Sequence, residues 1–97
     1  MAARAIKVDE QHFYVLPGSE YRLKANKGLQ RQIIARRKKI ENDRILAPIP
    51  SDDSRMRLLS LVNLGAPAKA AKVLTGSHLR SAKWKPVPAC PFLYDAH

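Results

Sequence analysis

Three features of the sequence predict a mostly α fold. An apolar stripe at helical spacing runs through residues 29–44, a dense apolar stretch at 56–64 follows four capping residues, and a Gly-Ala-Pro break stands at 65–67. Together they predict one basic helix plus a short αα-hairpin, with an extended N-terminal arm and a Pro-rich C-terminal tail. The corresponding segments are 1–18, 19–46, 51–76 and 77–97.

The N-terminal arm balances Arg4 and Lys7 against Asp9 and Glu10, and ends in the turn signal Leu16-Pro17-Gly18. Within it, His12-Phe13-Tyr14-Val15-Leu16 is a short run of β-forming residues and reads as an extended arm or one edge strand. In the next segment Ser19 is placed to cap a first turn containing Glu20, and Gly28 interrupts or bends the helical pattern around it. The strongest helical pattern is Leu29 to Arg44, where Leu29, Ile33 and Ile40 mark a narrow stripe with Ile34 beside it, on a helix otherwise covered in charge.

Pro48-Ile49-Pro50 stops that helix, because both prolines lack an amide donor and Pro50 disfavours α geometry at Ile49. Ser51-Asp52-Asp53-Ser54 offers oxygens and negative charge to the N-terminus of a second helix, which is expected to reach Leu64. Met56, Leu58, Leu59, Leu61, Val62 and Leu64 make it the expected core element. Gly65 suits a position just past a helix end and Pro67 the first turn of a third helix, expected to run to Leu74 and stop at Thr75-Gly76. Pro86, Pro88 and Pro91 then forbid a regular helix, so the tail from Trp84 is expected to be extended.

Composition narrows the function. Aromatics are 6% of a 97-residue chain and much of its 45% apolar content is alanine, which predicts a thin core and a chain that gains from docking onto something larger. The net charge of +10, from 18 Lys and Arg against 8 Asp and Glu, exceeds what solubility requires and asks for an anionic partner. Nucleic acid comes first, because counterion release rewards each phosphate contact. Acidic protein surfaces and peripheral contact with anionic lipid headgroups suit the same charge. No apolar run approaches the length of a membrane-spanning helix. The single Cys90 excludes an internal disulfide, and His12, His78 and His97 lack metal-ligand spacing, so neither metal nor cofactor is expected. No nucleophile elbow or glycine-rich phosphate loop is present, so no catalytic residue is assigned and no enzymatic activity is expected.

The charge is concentrated in two places. Residues 18–46 carry nine basic and three acidic side chains, centred on Arg36, Arg37, Lys38 and Lys39 and flanked by Arg22, Lys24, Lys27, Arg31 and Arg44. Four consecutive helical residues point in directions about 100° apart. A helix threaded among phosphate backbones would use all four, whereas a flat surface would leave half unused. The second group, Lys69, Lys72, Arg80, Lys83 and Lys85, lies in a stretch without acids, and Trp84 adds a ring able to stack on an exposed base. These fifteen residues are the candidate nucleic-acid contacts.

No RNP motif, KH-type Gly-x-x-Gly loop or zinc knuckle is present. The general build of arm, basic helix, hairpin and Pro-rich tail resembles that of small accessory ribosomal proteins, organellar ones especially. This implies a structural ribonucleoprotein subunit that binds rRNA and neighbouring proteins, in mitochondria or alternatively in the cytoplasm. A peripheral accessory subunit of a mitochondrial membrane complex, such as a respiratory complex or ATP synthase, is the alternative. A filament-associated protein docked on an acidic surface is a third reading.

Overall fold

The computed structural model describes residues 3–77, 84–87 and 90–96 and corrects the expected fold class: the chain is mostly β, with eight strands and two helices among the described residues. In chain order these are β1 (Ala3–Asp9), β2 (His12–Val15), β3 (Glu20–Arg22), α1 (Arg31–Asn42), β4 (Leu46–Ile49), β5 (Asp52–Leu58), β6 (Val62–Asn63), α2 (Pro67–Thr75), β7 (Trp84–Val87) and β8 (Cys90–Ala96). One antiparallel sheet has the order β6-β2-β1-β8-β7 and a second the order β3-β5-β4.

The expected N-terminal arm is a hairpin. Ala5 stands opposite Val15 and Lys7 opposite Phe13, and Ala3, Ala5, Phe13 and Val15 are buried on one face. The physical reason is the alternation of small residues with longer ones in Ala3-Arg4-Ala5-Ile6, a period of two that suits a half-buried strand. Ser19 does not cap a helix. It is buried, accepts a hydrogen bond from the Arg4 amide at 3.0 Å and donates to the Arg4 carbonyl at 3.2 Å. Its neighbour Gly18 donates to the Leu58 carbonyl at 2.7 Å, and the Leu58 amide donates to the Ser19 carbonyl at 2.8 Å. Gly18-Ser19 therefore fastens one sheet to the other.

The second expected helix, and with it the αα-hairpin, is replaced by strands. Glu20-Tyr21-Arg22 pairs with Arg57-Met56-Arg55, and Leu46 to Pro48 pairs with Leu58 to Met56 from the other side. In Arg55-Met56-Arg57-Leu58 charged and apolar residues alternate, which leaves Arg57 exposed and Leu58 buried. Asp52 and Ser54 form a turn instead of a cap, the Ser54 amide donating to the Asp52 carboxylate at 2.9 Å. Pro48 is tolerated because β4 is an edge strand.

The tail pairs too. Residues 3–6 of β1 stand opposite residues 96–93 of β8, and β8 opposite β7, so the C-terminal segment is built into the larger sheet. Pro86 again falls on an edge strand.

Both helices that survive carry the expected signals. α1 buries Ile33 and Ile40, with Leu29 buried just before it, while Ile34 is exposed. α2 starts on Pro67 and ends at Gly76, whose φ of +63° is the left-handed closing conformation glycine adopts without cost. Leu29, Ile33, Ile40, Tyr21, Leu58, Leu64, Val73 and Leu74 join the buried face of β1 and β2 in one core. Among the described residues this cluster draws on the expected segments 1–18, 19–46 and 51–76.

α1 ends less favourably. Arg44, just beyond its last turn, has a φ of +56° in a region that disfavours side chains. Arg44→Gly is expected to raise stability by about 0.5–1 kcal/mol, the left-handed penalty less the extra freedom of unfolded glycine. A urea midpoint that stays put or falls would show that the Arg44 side chain makes a compensating contact.

Candidate nucleic-acid interface

The four-residue basic run on α1 is divided by the packing of the helix. Arg37 lies on the same face as Leu29, Ile33 and Ile40 and is only 4% exposed. One guanidinium nitrogen donates to the Val73 carbonyl at 2.6 Å, and the other to the carbonyls of Arg22 at 2.7 Å and Leu23 at 3.1 Å. The guanidinium also lies 4.4 Å from the centre of the Tyr21 ring, within the range of a cation–π contact. Val73 is in the last turn of α2, where carbonyls lack helical partners and the dipole favours a cation. Arg37 thus caps α2 from α1 and faces no ligand.

Tyr21 is equally internal. Its hydroxyl donates to a Glu41 carboxylate oxygen at 3.1 Å. Burial pushes the phenol above its ordinary range, more than the nearby Arg37 charge draws it down, so it stays protonated.

The neighbours of Arg37 remain on the surface. Gln32, Ala35, Arg36 and Lys39 follow one strip of α1 and line a recess of about 470 Å³, closed on the α2 side by Lys69. Arg36 and Lys39 also line a second recess of about 300 Å³. Its remaining walls are Ile40, Asp43 and Ile45 with residues 60–64 of the β5–β6 connection and β6. Lys39 reaches Asp43 at 3.6 Å, and Arg36 makes a long 3.4 Å hydrogen bond to the Asn63 carbonyl. The Lys39–Asp43 pair is solvent-exposed and contributes little to stability. Arg36 and Lys39 therefore form a cationic wall shared by the two recesses, and Lys69 adds a third cation to the larger one.

The other expected contacts are dispersed. Lys38 and Arg31 are exposed outside the residues lining these two recesses, and Lys24, Lys27 and Arg44 are exposed in the connections flanking α1. Lys72 is half-buried in the last turn of α2, where a cation suits the helix dipole. Arg22 and Lys24 line a separate recess with Ser54, Arg55 and Thr75. There Arg55 is bound to Glu20 at 3.1 Å and Asp52 at 3.4 Å, so acids temper that patch. Arg80 and Lys83 fall outside the described residues. Trp84 and Lys85 are placed in β7, opposite Ala96 and Asp95, and the expected stacking of the Trp84 ring lies outside the described side chains.

Sequence reasoning missed Gln32, Asn63, Arg55 and Arg57. The arginines were legible in the alternation of β5. Asn63 carried the signal of an Asx turn, Asn-Leu-Gly, and its Oδ1 accepts hydrogen bonds from the Gly65 amide at 3.0 Å and the Phe13 amide at 3.1 Å.

Among the described residues no group of three or more His, Cys, Asp or Glu could hold a metal ion, and no helix is long and apolar enough to cross a membrane. Comparison of the chain with protein-family models, curated proteins and solved structures gives no match.

Proposed function

We propose that this protein is a non-enzymatic RNA-binding accessory component of a ribonucleoprotein assembly, the mitochondrial or another organellar ribosome being the candidate its small size and net charge of +10 suggest. The observation that carries this reading is the convergence of Arg36 and Lys39 from α1 with Lys69 from α2 around one open recess, where Asp43 is the only acid lining either side among the described residues. Three cations from two helices match a phosphate backbone in a way that four charges spread around one helix do not. Arg36 supplies a planar fork suited to phosphate oxygens, and the two lysines act as point charges.

Replacing Arg36, Lys39 and Lys69 together with alanine tests the reading. Each lost phosphate contact lowers the slope of log affinity against log salt by about 0.7 for a single strand, so the triple variant is expected to lose about 2 units of slope on RNA. Lys38→Ala, one residue away and outside the recess, is expected to leave the slope unchanged. A triple variant with the wild-type slope would remove these side chains from the interface.

A further inference from the structure

We infer that the smaller recess beside this cationic wall is a slot for one nucleobase of a single-stranded nucleic acid, read by the side-chain amide of Asn63. The inference rests on the proposed nucleic-acid reading of the recess and names what the second half of the same site recognises.

The recess has the composition such a slot needs. Its apolar lining comes from Ile40, Ile45, Val62 and Leu64, and Leu61 stands at its side with 51% of its surface exposed. A volume of about 300 Å³ lies at the small end of ligand sites, and the recess is open to solvent on part of its surface. Arg36 and Lys39 line both recesses, so a nucleotide whose phosphate meets those cations has its base directed toward the apolar floor. Leu59, next to this loop and 57% exposed, extends the apolar surface on which a neighbouring base would lie.

The polar element is fixed in advance. The Asn63 side-chain oxygen, Oδ1, accepts from the backbone amides of Phe13 and Gly65, which sets the orientation of the whole side-chain amide. Its NH2 group then remains as a pair of donors with no partner among the described residues. The Ser60 hydroxyl, also lining the recess, has no partner among the described residues either. Every nucleobase carries an acceptor that an amide NH2 can meet, and an unstacked base exposes those acceptors while a paired one hides its Watson–Crick edge. A base held in a duplex stack cannot enter the recess, so the slot takes only an unstacked one.

Two probes of equal charge separate the slot from the cationic wall: an eight-residue oligouridylate, and a wholly abasic ribose-phosphate chain of the same length. The wild-type protein is expected to bind the oligouridylate about tenfold or more tightly than the abasic chain. Asn63→Asp keeps an oxygen to accept from Phe13 and Gly65 but replaces the donors with an acceptor. Its added negative charge weakens both probes alike and cancels in their ratio, so the ratio is expected to fall towards one. Should this variant unfold, the wild-type ratio alone decides. Equal binding of both probes by the wild type overturns the base slot and leaves the phosphate reading standing. Failure of both probes to bind, with capture of a Glu-Leu repeat peptide instead, overturns both. A ratio unchanged by Asn63→Asp overturns the role of Asn63.

Discussion

Arg37→Leu is expected to lower the free energy of unfolding by about 3 kcal/mol or more, the largest effect of any single basic-to-apolar change among the described residues. The leucine has about the right size for the core but leaves the carbonyls of Val73, Arg22 and Leu23 without their donor. Arg22 and Leu23 lie at an exposed bend and can recover water, so the Val73 carbonyl carries most of the cost. Arg37→Lys keeps the charge but not the two-nitrogen fork or the flat stack on Tyr21, and is expected to lose about half as much. The adjacent Lys38→Leu, on the surface, is expected to stay within about 0.5 kcal/mol of the wild type. Urea midpoints of the three variants give the comparison. If Arg37→Leu and Lys38→Leu unfold together, Arg37 does not hold α1, α2 and the end of β3 to one another.

Gly76→Ala is the second large loss, at about 2–4 kcal/mol. Two costs combine there. The φ of +63° disfavours any residue with a Cβ, at roughly 1–2 kcal/mol. That Cβ would also stand 2.9 Å from the Ala25 Cα and 3.2 Å from the Arg37 guanidinium carbon, and backbone cannot move aside as a flexible side chain can. The Asn26 amide donates to the Gly76 carbonyl at 2.7 Å, tying the same segment to the end of α2. Gly65→Ala separates the costs, since Gly65 has a φ of +83° but open space around it. It is expected to lose only the conformational part, about 1 kcal/mol. Equal losses at the two positions would mean that the 23–30 connection yields freely, and that its approach to α2 is not a fixed contact.

Arg37 also shows how a correctly read helix let a buried residue be counted with the surface charges. Leu29, Ile33 and Ile40 were recognisable as a stripe, and the structure buries all three. Position 37 is one turn beyond Ile33 and three residues before Ile40, so it belongs to that stripe whatever residue occupies it. Counting it with Arg36, Lys38 and Lys39 as a run of charge concealed this. An arginine at the centre of an apolar stripe signals internal carbonyls in need of a donor, and those carbonyls come from residues 22, 23 and 73, which no local pattern connects to residue 37.

The strands failed for a related reason. Leu58, Leu59, Leu61, Val62 and Leu64 are dense enough to suggest a helix, and a short apolar run does not distinguish helix from buried strand. The four-residue alternation from Arg55 to Leu58 was the better guide, supported by Pro48 in β4 and Pro50 just beyond it. At the other end of the chain the alternation of β1 was present but had no visible partner. Its neighbours in the sheet are β2, close in sequence, and β8, at the far end. By contrast α2 was legible almost to the residue, because proline at its start and glycine just past its end act locally. The two-helix convergence of Arg36, Lys39 and Lys69 depends on how α1 packs beside α2, and sequence spacing alone does not contain it.

The pairing of β1 with β8 sets the order in which this molecule can come together during synthesis. Ala3 waits for Ala96, so the second edge of the first strand stays open while nearly all the rest of the chain is made. The second sheet and both helices are complete by Thr75 and can form around Tyr21 and Arg37 beforehand. A nascent chain paused after α2 would then display β1 as an uncapped template for strands of other molecules. Closure by β8 is the most non-local step of the fold, and it sets the interval over which a chaperone, or the assembly partner itself, has to shield that edge.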